Sequence, residues 1–289
     1  MKTKKQKWFS ESTVPGKRDG KMIHSFLIEN LVYKGKSRYQ DMLIFDNSVY
    51  GRVFVLDNIV QLSESDEFIY HEMLVHPALL AHRGPKKILI IGGGDGGTLR
   101  ECLKHDPEEV ILVDIDKQVL EIAQRYLPFT SQGAFKDKRV RVLHEDGKNF
   151  MKRYKEYFDI VIIDGGDPIG PSLTLFEYPF YRDIFAALKK DGMAAFQIGS
   201  FLDTPLIQGA FSKLQKAFPS VIMLRLTMPS YHCGDYCFMA ASKKIDLGAV
   251  SLPALKKRFQ AFNPGKALKY YDPYMDQASR VIPPAFKVK

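Results

Sequence analysis

Lys87-Ile-Leu-Ile-Ile91-Gly92-Gly-Gly-Asp95-Gly-Gly-Thr98 decides the fold. Four residues of unbroken apolar character, Ile88–Ile91, read as a strand buried on both faces. The glycines that follow let the chain turn sharply and let a ligand approach the main chain. Gly92, Gly94 and Gly97 form G-x-G-x-x-G, a weak motif alone but a stronger one between a strand and a helix. Working outward, strands and helices alternate. The pattern predicts a helix over 67–81, a strand over 87–91 and a helix through Leu103. Further strands are expected at 110–113, 140–143, 158–163, 193–197 and 221–226, with a helix over 118–126. Such alternation implies an α/β fold, a mostly parallel sheet covered by helices on both faces.

Ahead of about residue 65 the texture differs. His24-Ser-Phe-Leu-Ile-Glu29, Met42-Leu-Ile-Phe-Asp46 and Gly51-Arg-Val-Phe-Val-Leu56 alternate in β fashion, with polar turns between them such as Asp57-Asn58. Residues 1–65 therefore read as a small antiparallel β domain, and 66–289 as a methyltransferase-like (Rossmann-type) α/β domain. Trp8 is expected to anchor the first of these.

Asp114 lies twenty-two residues beyond Gly92, at the end of the second strand of the large sheet, where an acid accepts hydrogen bonds from ribose hydroxyls. Asp95 narrows the choice of nucleoside. A dinucleotide lays its pyrophosphate on the helix that follows such a loop, and fixed negative charge is unwelcome there. A sulfonium or an alkylamine suits Asp95 better, and the lysine of a phosphate-cradling loop is missing. Asp146-Gly147 follows the third strand, where methyltransferase-like folds hold adenine. Phe158-Asp-Ile-Val-Ile-Ile-Asp164 then runs into Gly165-Gly-Asp167-Pro-Ile-Gly-Pro171, an acidic Gly/Pro-rich loop at the carboxyl end of the sheet. Acids at Asp95, Asp164 and Asp167 around one rim describe a pocket for a polycation.

Composition excludes several classes. Hydrophobic residues make up 45% and charged residues 26%, so the chain is neither disordered nor fibrous. No apolar run is long enough to span a bilayer, and the basic start lacks the apolar stretch of a signal peptide. Cys102, Cys233 and Cys237 read as reduced thiols of a cytoplasmic protein. The net charge of +9 invites nucleic acid, but the basic residues are scattered apart from the extreme N-terminus, so none is expected. His71 and His76 are spaced i, i+5, which fails the zinc-protease pattern; no metal is expected.

Several stretches in order resemble the polyamine aminopropyltransferases, the spermidine synthase family, from about Trp8 to Pro284. They are Ser37-Arg-Tyr-Gln40-Asp, Val55-Leu-Asp-Asn-Ile-Val-Gln61, Asp66-Glu-Phe-Ile-Tyr70-His71-Glu-Met, the loop through Asp95, Val113-Asp114-Ile-Asp116, Asp164 to Pro171, and Met228-Pro-Ser-Tyr231. The resemblance implies transfer of an aminopropyl group from decarboxylated S-adenosylmethionine to a diamine, typically putrescine. The donor is a co-substrate, and no cofactor is permanently bound. Gln40, Asp114, Asp146, Gly147 and Pro171, with Gly92 and Gly94 of the loop, would hold the methylthioadenosine part, and Asp95 the donor amine. Tyr70, His71, Gln61, Asp167, Gln197 and Tyr231 would line the amine channel. Asp164 would accept the proton, with Tyr70 orienting the nucleophile. A homodimer or homotetramer built through the β domain is also implied. Asn58 stands where the family often has glycine, and Gly165-Gly166 where it has a small polar pair. His71 and Gly199 stand where many members have Gln and Glu, which leaves the acceptor open. The two rivals are an S-adenosylmethionine methyltransferase, which has no need of Asp95 and Asp167 as amine anchors, and a non-catalytic binder of polyamine or nucleic acid.

Overall fold

The computed structural model describes residues 6–11, 22–166, 170–232, 234–262 and 268–287, at 170 and 171 the backbone only. Two antiparallel sheets come first. Strands β1 (Lys7–Glu11) and β2 (His24–Ile28) form a ribbon; β3 (Asn30–Lys36), β4 (Asp41–Asn47), β5 (Gly51–Leu56) and β6 (Ile59–Ser63) form a meander in sequence order. Asp57 and Asn58 close the β5–β6 hairpin as a two-residue loop with φ of 47° and 62°. Both are left-handed, as a type I′ turn requires, and Asn58 fits there without being glycine. Trp8 is 56% exposed; Phe9 takes the buried place instead.

Helix α1 (Glu67–Ala81) leads into the large sheet, and every residue of it but Phe68 is buried. There follow β7 (Lys87–Gly92), α2 (Gly97–Leu103), β8 (Glu109–Val113), α3 (Lys117–Tyr126), α4 (Pro128–Ser131), β9 (Val140–Leu143), α5 (Gly147–Met151) and β10 (Phe158–Asp164). Then come α6 (Tyr178–Ala187), β11 (Leu188–Ser200), α7 (Thr204–Ala217), β12 (Ser220–Thr227), β13 (Asp235–Ser242), α8 (Leu252–Phe262) and α9 (Pro273–Ser279). The seven strands stand in the order β12-β13-β11-β10-β7-β8-β9. β9, β8, β7, β10 and β11 run parallel, while β13 is antiparallel to both its neighbours. Alternate residues of β7 feed two cores: Ile88 and Ile90 pack with α1 residues, Leu89 and Ile91 with those of α6 and α7. Burial on both faces is why the strand carries no polar alternation.

Strand β13 was not among the expected elements, because Tyr236-Cys-Phe-Met-Ala-Ala is apolar throughout and periodicity cannot separate strand from helix in so short a run. β11 is likewise longer than the expected 193–197. The chain order reverses between β7 and β10, so their carboxyl ends flank a crevice. Gly92 has φ +83°, and a Cβ there would lie 2.0 Å from the Asp164 carbonyl oxygen. Gly209, inside α7, has no neighbour within 4 Å of such a Cβ. Gly92→Ala is expected to lower unfolding free energy by about 2–4 kcal/mol through strain and overpacking, and Gly209→Ala to raise it by about 0.5–1 kcal/mol. Urea titration of the two variants checks both signs.

Candidate active site

The crevice opens into a cleft of about 890 Å³, a volume suited to a cofactor-sized ligand. Gln40, Gln61, Tyr70, His71, Gly92, Gly94, Asp95, Asp114, Asp146, Gly147, Asp164, Gln197 and Tyr231 all line it. Asp167 lies outside the described residues, as does the side chain of Pro171.

At its centre, strand geometry brings two carboxylates together. Asp164 ends β10 beside Gly92 of β7, and the Gly93 N–H donates to the Asp164 carbonyl at 2.9 Å. Its side chain is held from two sides: Tyr70 Oη donates to Oδ1 at 2.8 Å and Thr98 Oγ1 to Oδ2 at 2.6 Å. Burial and then the neighbouring Asp95 charge raise the Asp164 pKa, against the opposing pull of His71, Thr98 and Tyr70. Asp95 accepts from the Gly97 N–H at 2.7 Å, and His71 Nε2 lies 3.2 Å from the same oxygen. Burial would raise the Asp95 pKa, but His71 and Gly97 outweigh it and lower it.

One end of the cleft is built beyond β8. Asp114 accepts from the Asp116 N–H at 2.8 Å; Asp116 in turn receives Ser37 Oγ at 2.5 Å and Gln40 Nε2 at 3.0 Å. Gln40 is therefore positioned by a side chain of the large sheet. Asp146 caps α5, accepting from Lys148 N at 2.8 Å. At the other end Tyr231 Oη donates to the Gln61 carbonyl at 2.7 Å, and Gln197 Nε2 donates to Tyr236 Oη. Gln197 Oε1 is buried with no hydrogen-bond partner among the described residues.

Sequence reasoning missed four acids and bases here. Glu11 lines the cleft, buried, with Oε1 3.2 Å from His232 Nδ1; an acid sharing the buried face of β1 with Phe9 was the available signal. Asp66 fixes the turn at Ser230, accepting from Ser230 N at 2.7 Å and Ser230 Oγ at 3.0 Å. Glu67 and Arg100 stand behind His71, joined by two bonds of 3.0 Å.

His71, Asp95 and Asp164 offer ligand atoms within 4.8 Å of one another, with His71 Nδ1 turned to Glu67 and Nε2 to Asp95. In a second group, His82, Asp159 and Asp191, Lys189 Nζ already sits 2.8 Å from Asp159. No helix among the described residues is long and apolar enough to cross a membrane.

A doubly wound sheet with a glycine turn, and an acid ending the neighbouring strand, defines a protein of the methyltransferase-like, nucleoside-binding class. Comparison with known proteins narrows this. The Spermine/spermidine synthase domain matches residues 67–249, and the Spermidine synthase tetramerisation domain residues 7–64. A polyamine aminopropyltransferase of Caldicellulosiruptor bescii is 37% identical over 96% of this chain and 95% of its own. One from Yersinia pseudotuberculosis is 40% identical over 89% of this chain and 87% of its own. Among solved structures, a spermidine synthase in complex with the transition-state analogue AdoDATO superposes with a TM-score of 0.90 at 37% identity, covering 97% of this chain and 93% of the other. Spermidine synthase from Thermotoga maritima gives 0.87 at 36%, covering 97% and 92%. The chain belongs to the polyamine aminopropyltransferase family, an enzyme family.

Burial raises the Asp114 pKa to about 7, helped by Asp116, Asp164 and Asp95 against the Asp116 N–H. The folded chain thus holds this proton more tightly than the unfolded one, whose carboxyl titrates near 4. The contribution to stability is greatest below that value and is lost as pH rises through about 7. Asp114→Asn is expected to flatten the fall of unfolding free energy between pH 4 and 7, measured by urea titration of the ligand-free protein.

Proposed function

We propose that the chain transfers the aminopropyl group of decarboxylated S-adenosylmethionine to a diamine, putrescine before longer acceptors, yielding spermidine and S-methyl-5′-thioadenosine. The reading is carried by one observation: Asp95 and Asp164 present carboxylate oxygens within 4.8 Å of each other in a cleft that Asp114 also lines. A sulfonium nucleoside with a bare propylammonium complements that charge. Intact S-adenosylmethionine carries a carboxylate on the same carbon and would meet repulsion.

In this reading Gln40, Gly92, Gly94, Asp114, Asp146, Gly147 and Pro171 hold the nucleoside, and Asp95 the donor amine. The acceptor lies along Gln61, Gln197 and Tyr231, with Asp167 at its far ammonium. The unpartnered Gln197 Oε1 supplies an acceptor for an N–H of the substrate. Alkylamines titrate near pH 10, so the reacting end must lose a proton. Asp164 takes it, and its raised pKa makes it a stronger base than an exposed aspartate. The freed nitrogen lone pair attacks the methylene beside sulfur, the C–S bond breaks toward sulfur, and a neutral thioether leaves. Tyr70 fixes Asp164 and the approach of the amine. Alignment of two cations in one acidic crevice supplies much of the acceleration.

Incubation with each donor, decarboxylated or intact, and a panel of putrescine, cadaverine, agmatine and spermidine, with products identified by mass, tests the reading. Asp164→Asn is expected to lower turnover about 10²–10⁴-fold while methylthioadenosine still binds; a variant keeping half the wild-type rate removes Asp164 from the mechanism. Methyl transfer from the intact donor would instead favour a methyltransferase.

We also propose that residues 1–65 form an assembly domain that builds a tetramer in the cytoplasm. Trp8, Ile23, Leu31 and Val49, all in the two small sheets or their edges, are 51–74% exposed, apolar surface that a partner would cover. Light scattering at micromolar concentration is expected to give four times the 33.0 kDa chain mass; a monomer alone contradicts it.

A further inference from the structure

His71 has a task that its place in the cleft does not disclose. Its ring sits between two carboxylates: Nδ1 is 2.6 Å from Glu67 Oε2, and Nε2 is 3.2 Å from Asp95 Oδ1. Both carboxylates are themselves held in the ionised, accepting form. Arg100 pairs with both oxygens of Glu67 at 3.0 Å, and the Gly97 N–H donates to Asp95 at 2.7 Å. A neutral imidazole has a proton on one nitrogen only, so its other nitrogen would face a carboxylate lone pair to lone pair. A ring protonated on both nitrogens satisfies both contacts. The space is made for it: a Cβ on Gly97 would lie 2.3–2.5 Å from three ring atoms.

We propose that Glu67 is a positioning residue that keeps His71 a fixed imidazolium, and that this cation, held by Glu67 and aimed at Asp95, lets Asp95 and Asp164 stay ionised side by side. The proposal rests on the aminopropyl-transfer reading for its consequence but not for its geometry. It gives His71 a different task from the amine contact that the resemblance implies, since a cation repels an ammonium. The groups facing the ring are Glu67 and Tyr70 from α1, Arg100 from α2, Asp95 from the glycine turn and Asp164 from β10. Of these the charged set nearest the substrates is one cation and two anions, which leaves a single net negative charge. A bare pair of carboxylates would hold the acceptor as its ammonium, which cannot attack. With His71 charged, the ammonium form of the acceptor is held less tightly, and Asp164 stays ionised to receive the proton that the reacting nitrogen loses. The electrostatics agree: burial alone would lower the His71 pKa, but Asp95 and Glu67 outweigh it and raise it to about 10.

The decisive measurement is nitrogen NMR on ¹⁵N-histidine-labelled, ligand-free protein at pH 8.5, where an ordinary histidine is neutral. Both His71 ring nitrogens are expected to be protonated in the wild type. Glu67→Gln is expected to bring the His71 titration midpoint below 8.5, to lower kcat about 10–100-fold and to change acceptor KM less than threefold, with Glu67→Asp restoring the midpoint and part of kcat. A wild-type His71 with one bare ring nitrogen at pH 8.5 overturns the proposal, as does a Glu67→Gln variant with His71 still doubly protonated. Should Glu67→Gln fail to fold, His71→Gln replaces it; unchanged kcat in that variant counts against the fixed cation. The protonation readout needs no turnover, so an inactive protein would refute the proposed reaction without touching this result.

Discussion

Two carboxylates forced together beyond the ends of neighbouring strands set the terms for the rest of this molecule. Asp164 and Asp95 come within 4.8 Å because β7 and β10 are paired in parallel and their loops share one crevice. At an effective dielectric of about 20, unit charges at that separation repel by about 3.5 kcal/mol. Nothing in a parallel sheet offsets that, so the offset comes from what surrounds it. Tyr70 and Thr98 each donate to one Asp164 oxygen, the Gly97 N–H donates to Asp95, and His71 stands against Asp95. The absence of a side chain at Gly92 follows from the same constraint, since Asp164 occupies its space.

The compensation reaches far behind the pocket. Glu67 holds His71, Arg100 holds Glu67, Arg100 Nε donates to Glu101 at 2.6 Å, and Glu101 meets His76 Nε2 at 2.9 Å. Glu67, His71, His76, Arg100 and Glu101 are all buried. Isolated, any of these polar groups would be strongly unfavourable away from water; linked, each meets a partner. Such a chain is weak evidence for stability but strong evidence for a fixed geometry, which a site working by electrostatics requires. It also explains why α1 shows no clear apolar face: both sides of the helix are buried, one against apolar core and the other against this network.

The division between what the sequence disclosed and what it hid follows the range of the interactions. Strand–turn–helix at 87–98, Asp114 at the end of β8 and Asp164 at the end of β10 were legible, because each depends on local pattern plus a general rule about where open sheets bind ligands. The helix over 67–81 was legible to the residue. Hidden were Arg100 and Asp66, whose partners lie 33 and 164 positions away. Glu67 and His71 were visible at i, i+4 on one helix, yet the spacing does not say whether such a pair faces solvent or a buried site. β13 escaped because an apolar run of that length has no distinctive period.

The cleft is also a joint between the meander and the large α/β unit, which share a core of Met42, Ile44, Phe54 and Leu62 with Val119, Ile122, Ala123 and Leu127. Ser37 and Gln40, between β3 and β4, close onto Asp116 beyond β8. At the far end Asp66 grips Ser230, and Tyr231 reaches back to Gln61 of β6. The Asp116 and Gln61 contacts each use a carboxylate or a carbonyl of one unit to satisfy donors of the other, so undocking would strand polar groups that are now buried or half-buried. Asp116 is the more informative lock: the side chain that receives Gln40 belongs to the residue whose N–H donates to Asp114. Docking of the small meander and placement of Asp114 are therefore set by one residue. A meander that pulled away would free Gln40 and disturb Asp116 together, so the Asp114 end of the cleft is complete only while both sheet systems are in place.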